Sequence, residues 1–96
     1  MTAEVFVLPS VLGMEQAAML KQDLLTLAAM PDPVEIDGGA VQQIGTAPLQ
    51  LLVAFARERH ARSAPLSWRD VSESLHNAAT TLGVAAALAL PQKVSA

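Results

Sequence analysis

The chain has 96 residues and no cysteine, with 52% hydrophobic and 16% charged residues. This length suits one small domain over residues 1–96, and the apolar content is sufficient for a packed core. The lack of cysteine excludes disulfides, thiolate nucleophiles and cysteine metal sites. A net charge of −3 is also unlike the basic surface of nucleic-acid-binding proteins, so we predict no nucleic-acid partner.

Hydropathy along the chain does not predict membrane insertion. The apolar residues are mostly alanine and leucine, and no uncharged run reaches the roughly 18 residues that a membrane span needs. Met1 to Val5 lack the basic start and apolar core of a signal peptide. We therefore expect a cytoplasmic protein.

The first elements in chain order are two short strands and a helix. Glu4 to Leu8 is rich in β-branched and aromatic residues and predicts a strand, with Val11-Leu12 as a short second strand. Gly13 then precedes Glu15 to Ala29, where apolar residues recur at steps of three and four. This spacing predicts an amphipathic helix.

The next unit is a strand, a glycine turn and a second helix. Val34 to Asp37 predicts a strand that breaks at Gly38-Gly39, because glycine tolerates positive φ. Thr46 precedes Ala47-Pro48, and threonine is a favoured helix N-cap while proline is tolerated in the first turn. We therefore predict a largely buried helix from Ala47 to about Ala61, capped by Thr46. Its predicted exposed line is Gln50, Ala54, Arg57, Glu58 and Ala61.

Basic residues concentrate in the second half of the chain. Residues 1–50 carry one lysine and six acids, whereas residues 51–96 carry five basic and three acidic residues, giving net charges of −5 and +2. Arg57, Arg59 and Arg62 follow each other near the end of the second helix. Basic residues there complement the helix dipole, so we predict a solvated helix end.

The last third predicts a turn at Ser63-Ala64-Pro65, a short strand at Leu66-Ser67-Trp68 and a third helix. Asp70 and Glu73 have the spacing of a capping box, with Ser72 as an alternative cap. Gly83 is placed to end this helix in the left-handed conformation. The helix is predicted to bury Val71, Leu75, Ala78, Ala79 and Leu82, and to be followed by a short helix or strand over Val84 to Leu90 and a loose tail at residues 92–96.

Strands and helices thus alternate through short connections. This order predicts a small α/β sandwich with a mixed, mostly parallel sheet and helices packed on it.

Candidate reactive residues do not form a catalytic pattern. His60 and His76 match no metal-ligand spacing, and we expect both to be surface residues. Glu35 and Asp37 share a strand face, as acid–base pairs can, but an aspartate at a strand end also commonly binds turn amides. We predict no enzyme activity, no catalytic residue, no metal and no cofactor.

Residues 34–52 resemble a known motif. Asp37 matches a strand-end aspartate, Val41 and Ile44 match an apolar step, and Gly45 to Leu49 occupies an Asp-Ser-Ser-Gly-Leu stretch at a helix start. Ser72 to Leu75 and Leu82 to Val84 are similar to the final helix and its end. The chain therefore resembles the STAS domain family, which includes bacterial anti-sigma factor antagonists and relatives in phospholipid transport and chemotaxis.

The resemblance implies a non-enzymatic module for signal transduction that binds a protein partner. In the family's switch proteins the first serine of the motif accepts phosphate from a partner kinase, which by position implies Thr46. Gly45 stands in place of the motif aspartate and Pro48 in place of its glycine. The alternative is a structural STAS subunit on the ATPase of an ABC-type phospholipid transporter, with Thr46 never phosphorylated. The expected partner-binding residues are Asp37, Gly45, Thr46, Ala47, Gln50 and Ala54.

Overall fold

The computed structural model describes residues 4–64, 66–88 and 90, and these residues form five strands and three helices. The strands are β1 (Glu4–Val7), β2 (Val11–Leu12), β3 (Val34–Gly38), β4 (Gln43–Ile44) and β5 (Leu66–Val71). The helices are α1 (Met14–Ala28), α2 (Thr46–Ala61) and α3 (Glu73–Thr81). The predicted alternation is confirmed, and β4 is a strand that we did not predict.

The strands form two parallel sheets. One has the order β1-β3-β5 and the other pairs β2 with β4. The α/β prediction is confirmed, and all pairs among the described strands are parallel rather than mixed. Crossovers between parallel strands are right-handed in almost all proteins, which places α1 and α2 on the same face of the larger sheet, and the two helices pack against each other.

The core forms where these layers meet. In β3, Val34 and Ile36 are buried while Glu35 and Asp37 are half-buried, as expected from the two-residue period of a strand. Leucines from α1 and α2 pack against this strand face, and Leu75 and Ala79 add the buried side of α3. The predicted burial of Leu82 is wrong, because this side chain is 48% exposed beyond the end of α3. Val71, which was predicted to be buried by this helix, is the last residue of β5 and half-buried.

Gly38 and Gly39 are required for close packing rather than for positive φ. Neither has a positive φ. Gly38 is the last residue of β3, and the turn begins at Gly39. A Cβ at Gly38 would lie 2.6 Å from Leu75 Cδ2, and one at Gly39 would lie 2.5 Å from Asp70 Oδ2. The strand thus ends at Gly38-Gly39 as predicted, but positive φ is not the reason for glycine there; β5 and α3 approach the backbone closely at these positions.

The start of α3 is capped by Ser72 rather than by Asp70. The Ser72 hydroxyl accepts a hydrogen bond from the Leu75 N–H at 3.0 Å. Asp70 lies inside β5, and its Oδ1 accepts from the Val71 N–H at 2.9 Å. The capping box with Asp70 is therefore wrong and the Ser72 cap is confirmed, as is the left-handed Gly83, with a φ of +72°.

After α3 the chain packs back as a turn. The Leu88 N–H donates to the Val84 carbonyl at 3.0 Å, and the Leu88 carbonyl accepts from Trp68 Nε1 at 2.9 Å. Leu88 is fully buried. Over residues 84–88 and 90 the structure therefore has neither the helix nor the strand that we predicted. The predicted loose tail at residues 92–96 lies outside the described residues.

Candidate functional site

Helix α2 is held firmly in the core. Leu49, Leu52, Val53, Phe55 and Ala56 are buried, which confirms the prediction of a largely buried helix. It follows β3 and β4, so it begins at the sheet edge where the carboxyl ends of the parallel strands meet, an edge that commonly carries binding sites in α/β folds.

The helix begins one residue earlier than predicted. Gly45 is the N-cap, and its N–H donates to the Leu12 carbonyl at 2.8 Å. The Gly45 carbonyl accepts the Leu49 N–H at 3.1 Å, which makes Thr46 the first helical residue. A capping Thr46 would need the N–H of residue 48 or 49. Pro48 has no N–H and that of Leu49 is already bonded, so the prediction of a Thr46 cap is wrong.

The Thr46 side chain is exposed. Within residues 4–64, 66–88 and 90, its hydroxyl makes no hydrogen bond. The neighbouring amides belong to the first turn, where N–H groups lack intrahelical acceptors and the helix dipole is positive. Thr46 therefore presents an accessible hydroxyl at a helix start that stabilises negative charge.

The outer face of α2 continues from this threonine. Ala47, Gln50 and Ala54 are all exposed, and steps of four residues align Thr46, Gln50 and Ala54 on one side of a helix. Further along the helix, Arg57, Glu58 and Ala61 are exposed as predicted. The predicted exposed line is thus confirmed as a surface, and its role in binding remains a prediction.

The carboxylates of β3 are bound to neighbouring groups. Asp37 Oδ1 accepts the Gly39 N–H at 3.0 Å, which fits an aspartate that stabilises a turn. Asp37 lies near the carboxyl end of β3, at the sheet edge where α2 begins. Glu35 Oε1 lies 3.1 Å from Arg69 Nε. Among the described residues no three metal-ligating side chains cluster.

Arg59 does not belong to a solvated cluster, and that prediction is wrong. Its side chain is fully buried. The guanidinium donates to the carbonyls of Leu27 at 3.2 Å, Met30 at 2.6 Å and Asp32 at 2.8 Å. These carbonyls lie at the end of α1 and in the loop after it, and α1 has no basic residue in its own last turn. Arg59 therefore supplies the positive charge that a helix C-terminus favours.

A signal for this role was present in the sequence. Arg59 follows Phe55 by four residues and Ala56 by three, so it lies on the buried face of α2. Burial lowers the pKa of Arg59, and the nearby positive charge of Arg62 lowers it further. Arginine nevertheless remains charged at physiological pH.

The other basic residues of this segment lie on the surface. Arg57 and His60 are exposed and His76 is half-buried. Arg62 Nε lies 2.6 Å from Glu58 Oε2, so these two exposed residues form an ion pair within α2. The prediction of a solvated helix end therefore holds for Arg57 and Arg62 but not for Arg59.

Two concave regions flank α2 and were not predicted. A groove of about 360 Å³ lies between α1 and α2, with Leu25, Ala28, Leu51, Ala54 and Phe55 among its lining residues. Leu25 is 63% exposed at this groove. A second cavity of about 540 Å³ lies between α2, the start of β5 and the turn at residues 84–88. Tertiary packing creates both, so no local sequence signal indicates them.

Comparison with known proteins identifies the family. Residues 3–91 match the family model described as "Mlab, STAS domain". No curated protein and no solved structure matched the chain. None of the helices that the structure describes combines the length and hydropathy needed to cross a bilayer. Since the match extends over nearly the whole chain, the protein belongs to the STAS domain family.

Proposed function

We propose that this protein is a non-enzymatic regulatory module that binds a partner protein through the start of α2. The α2 docking face consists of Thr46, Ala47, Gln50 and Ala54, with Gly45 and Asp37 beside it at the same edge of the fold. The observation that carries the proposal is the exposed Thr46 hydroxyl, free of any cap, at the start of a helix whose other side is buried. Membership of the STAS family supports a protein-binding role.

The chemistry of the docking face suits contact with a protein. Its side chains are small or uncharged, and Ala54 also lines the apolar groove between α1 and α2. A partner can thus pack on this exposed surface and place an apolar side chain beside Ala54. This surface favours docking rather than a reaction.

We further propose that phosphorylation of Thr46 by a partner kinase switches this contact. A phosphate adds about −1.5 to −2 charges and three strong acceptor oxygens. The first turn of α2 tolerates this charge because its amides and dipole are positive. A close-fitting partner surface would have to bury the phosphate, so the complex would weaken. Such a partner uses ATP, which supports a cytoplasmic location.

A second candidate is a structural STAS subunit of an ABC-type phospholipid transport complex, without phosphorylation. Two observations support this second candidate. The matching model is the one described as "Mlab, STAS domain". Gly45 and Pro48 depart from the motif that surrounds the phosphoacceptor in the family's switch proteins. In this case Thr46 would only make contacts with the transporter ATPase.

The two candidates differ in phosphate transfer. The protein would be incubated with ATP and each candidate kinase or transporter ATPase encoded near its gene, and the phosphorylated residue located by mass spectrometry. Phosphate on Thr46, absent from the Thr46→Val variant, is expected for the switch. Stable binding to an ATPase with Thr46 unmodified in every reaction would replace the switch with the structural candidate.

The docking face can be tested without phosphorylation. Thr46→Glu is expected to weaken partner binding by about tenfold or more, as for burial of one uncompensated charge. The thermal midpoint should hardly change, because a carboxylate suits the first turn of a helix. Gln22→Glu adds the same charge on the exposed side of α1 and should leave binding unchanged. Equal affinities of Thr46→Glu and the unmodified protein would refute the docking face.

A further inference from the structure

The second cavity is partly open to solvent and has the volume of a small-molecule site. Its volume of about 540 Å³ falls in the range of roughly 300 to 1,000 Å³ typical of ligand pockets. The walls come from α2, the segment that leads into β5, and the turn at residues 84–88. They consist of Ala56, Ala61, Ala64, Leu66, Ala86 and Ala87. Small side chains from three segments thus leave an apolar space open.

The polar lining of this cavity includes one permanent positive charge, that of Arg57. Arg57 and His60 line it from α2, and both side chains are exposed. In the described part of the chain neither forms an ion pair. Glu58 is adjacent in sequence, but its carboxylate is bound by Arg62 at 2.6 Å. The positive charge of Arg57 is therefore not neutralised locally, and a guanidinium binds carboxylate or phosphate with two parallel hydrogen bonds.

The nearby C-terminus of α2 does not oppose an anion strongly. A helix C-terminus carries partial negative charge on its unbonded carbonyls. In α2, the carbonyls of Glu58, Arg59 and His60 accept the N–H groups of residues 62, 64 and 63 at distances between 2.8 and 3.1 Å. These bonds reduce the negative charge that the helix end presents to the cavity.

We propose that this cavity binds a small organic anion, with Arg57 and His60 at its charged group and the alanine walls around its compact apolar body. The charged group is a carboxylate or a phosphate monoester, since both match the guanidinium geometry. The cavity shares no residue with the α2 docking face, so the site does not depend on the proposed protein contact.

Isothermal titration at constant ionic strength tests this site. Benzoate and phenyl phosphate serve as the two probes, and benzyl alcohol as the uncharged control. We expect saturable binding of at least one anion with a dissociation constant of about 1 mM or below, and no detectable binding of benzyl alcohol. The tighter of the two anions identifies the preferred charged group. Absence of saturable binding by both anions at about 20 mM would overturn the proposal.

Two pairs of substitutions locate the binding. Arg57→Gln is expected to weaken binding of the anion by about tenfold, because a charge-assisted pair of hydrogen bonds is lost. Lys21→Gln removes one positive charge from α1, at a residue that does not line the cavity, and should change affinity by less than about twofold. Ala86→Phe places a ring at an exposed position of the wall and should block binding, whereas Ala18→Phe, on the exposed side of α1, should not. Equal losses within either pair would show that binding occurs elsewhere.

Discussion

Replacement of Arg59 tests how the helices are held together. Arg59→Met retains a long side chain but removes all donors to the carbonyls of Leu27, Met30 and Asp32. The Leu27 carbonyl still accepts the Met30 N–H at 3.1 Å. The carbonyls of Met30 and Asp32 would lose their hydrogen bond from the guanidinium. Each such group costs about 1 to 3 kcal/mol. The bonds to Met30 and Asp32 are only partly buried, so water offsets part of the loss.

We therefore expect Arg59→Met to lower the free energy of unfolding by about 3 kcal/mol, since two unpaired carbonyls together cost about 2 to 6 kcal/mol before water offsets part of it. A domain of this size has a total stability of roughly 5 to 14 kcal/mol. The thermal midpoint should fall by about 12 to 24 °C, at 4 to 8 °C per kcal/mol. Urea denaturation followed by circular dichroism measures the change.

Two further variants show whether this loss comes from the carbonyl contacts. Arg57→Met removes an exposed arginine two positions earlier and should stay within about 0.5 kcal/mol of the unmodified protein. Arg59→Lys keeps the charge, but one ammonium does not reproduce the guanidinium fork, so we expect an intermediate loss of about 1 to 2 kcal/mol. If Arg59→Met were no more destabilising than Arg57→Met, the assignment of Arg59 as the link between α1 and α2 would be refuted.

Three further stability predictions concern turns and caps, each measured by urea denaturation. Gly38→Ala should lower the free energy of unfolding by about 2 kcal/mol, because the new Cβ meets a buried leucine of α3. Gly39→Ala should lower it less, because the new Cβ meets an exposed aspartate that can move. The reverse order would contradict the packing argument. Gly45→Asp should raise stability by about 0.5 kcal/mol, since the position has N-cap geometry and room for a side chain, and a loss would count against this N-cap. Ser72→Ala should cost about 1 kcal/mol while Ser74→Ala, at an exposed position of α3, has little effect; equal costs would remove the assigned cap.

Local sequence patterns were sufficient for the main elements. The spacing of apolar residues located α1 and α2 to within one residue at each end, because one face of each helix must be buried. The outer face of α2 was predicted by the same spacing, since residues that do not face the core are left to solvent. β4 was not identified because one of its two residues is polar, whereas the two apolar residues of β2 indicated a strand.

The wrong predictions concern side chains whose role depends on which hydrogen-bonding atom lies within reach. Thr46 and Ser72 both suit an N-cap by residue type, yet only Ser72 finds a free N–H three residues later. The spacing of Arg59 from Phe55 indicates the buried face of α2, but its partners are carbonyls that lie 27 to 32 residues earlier in the chain. Such choices depend on contacts that sequence spacing within one element does not specify.

The sequence by itself thus determined the α/β alternation, the buried side of each long helix and the position of Thr46 at the start of α2, because these follow from local periodicity and backbone chemistry. Only the tertiary structure decided that the Thr46 hydroxyl is not used as a cap, that Arg59 joins α2 to the end of α1, and that a cavity with a cationic rim opens beside β5. Each of these depends on atoms from distant segments, whose approach is set by packing of the whole core.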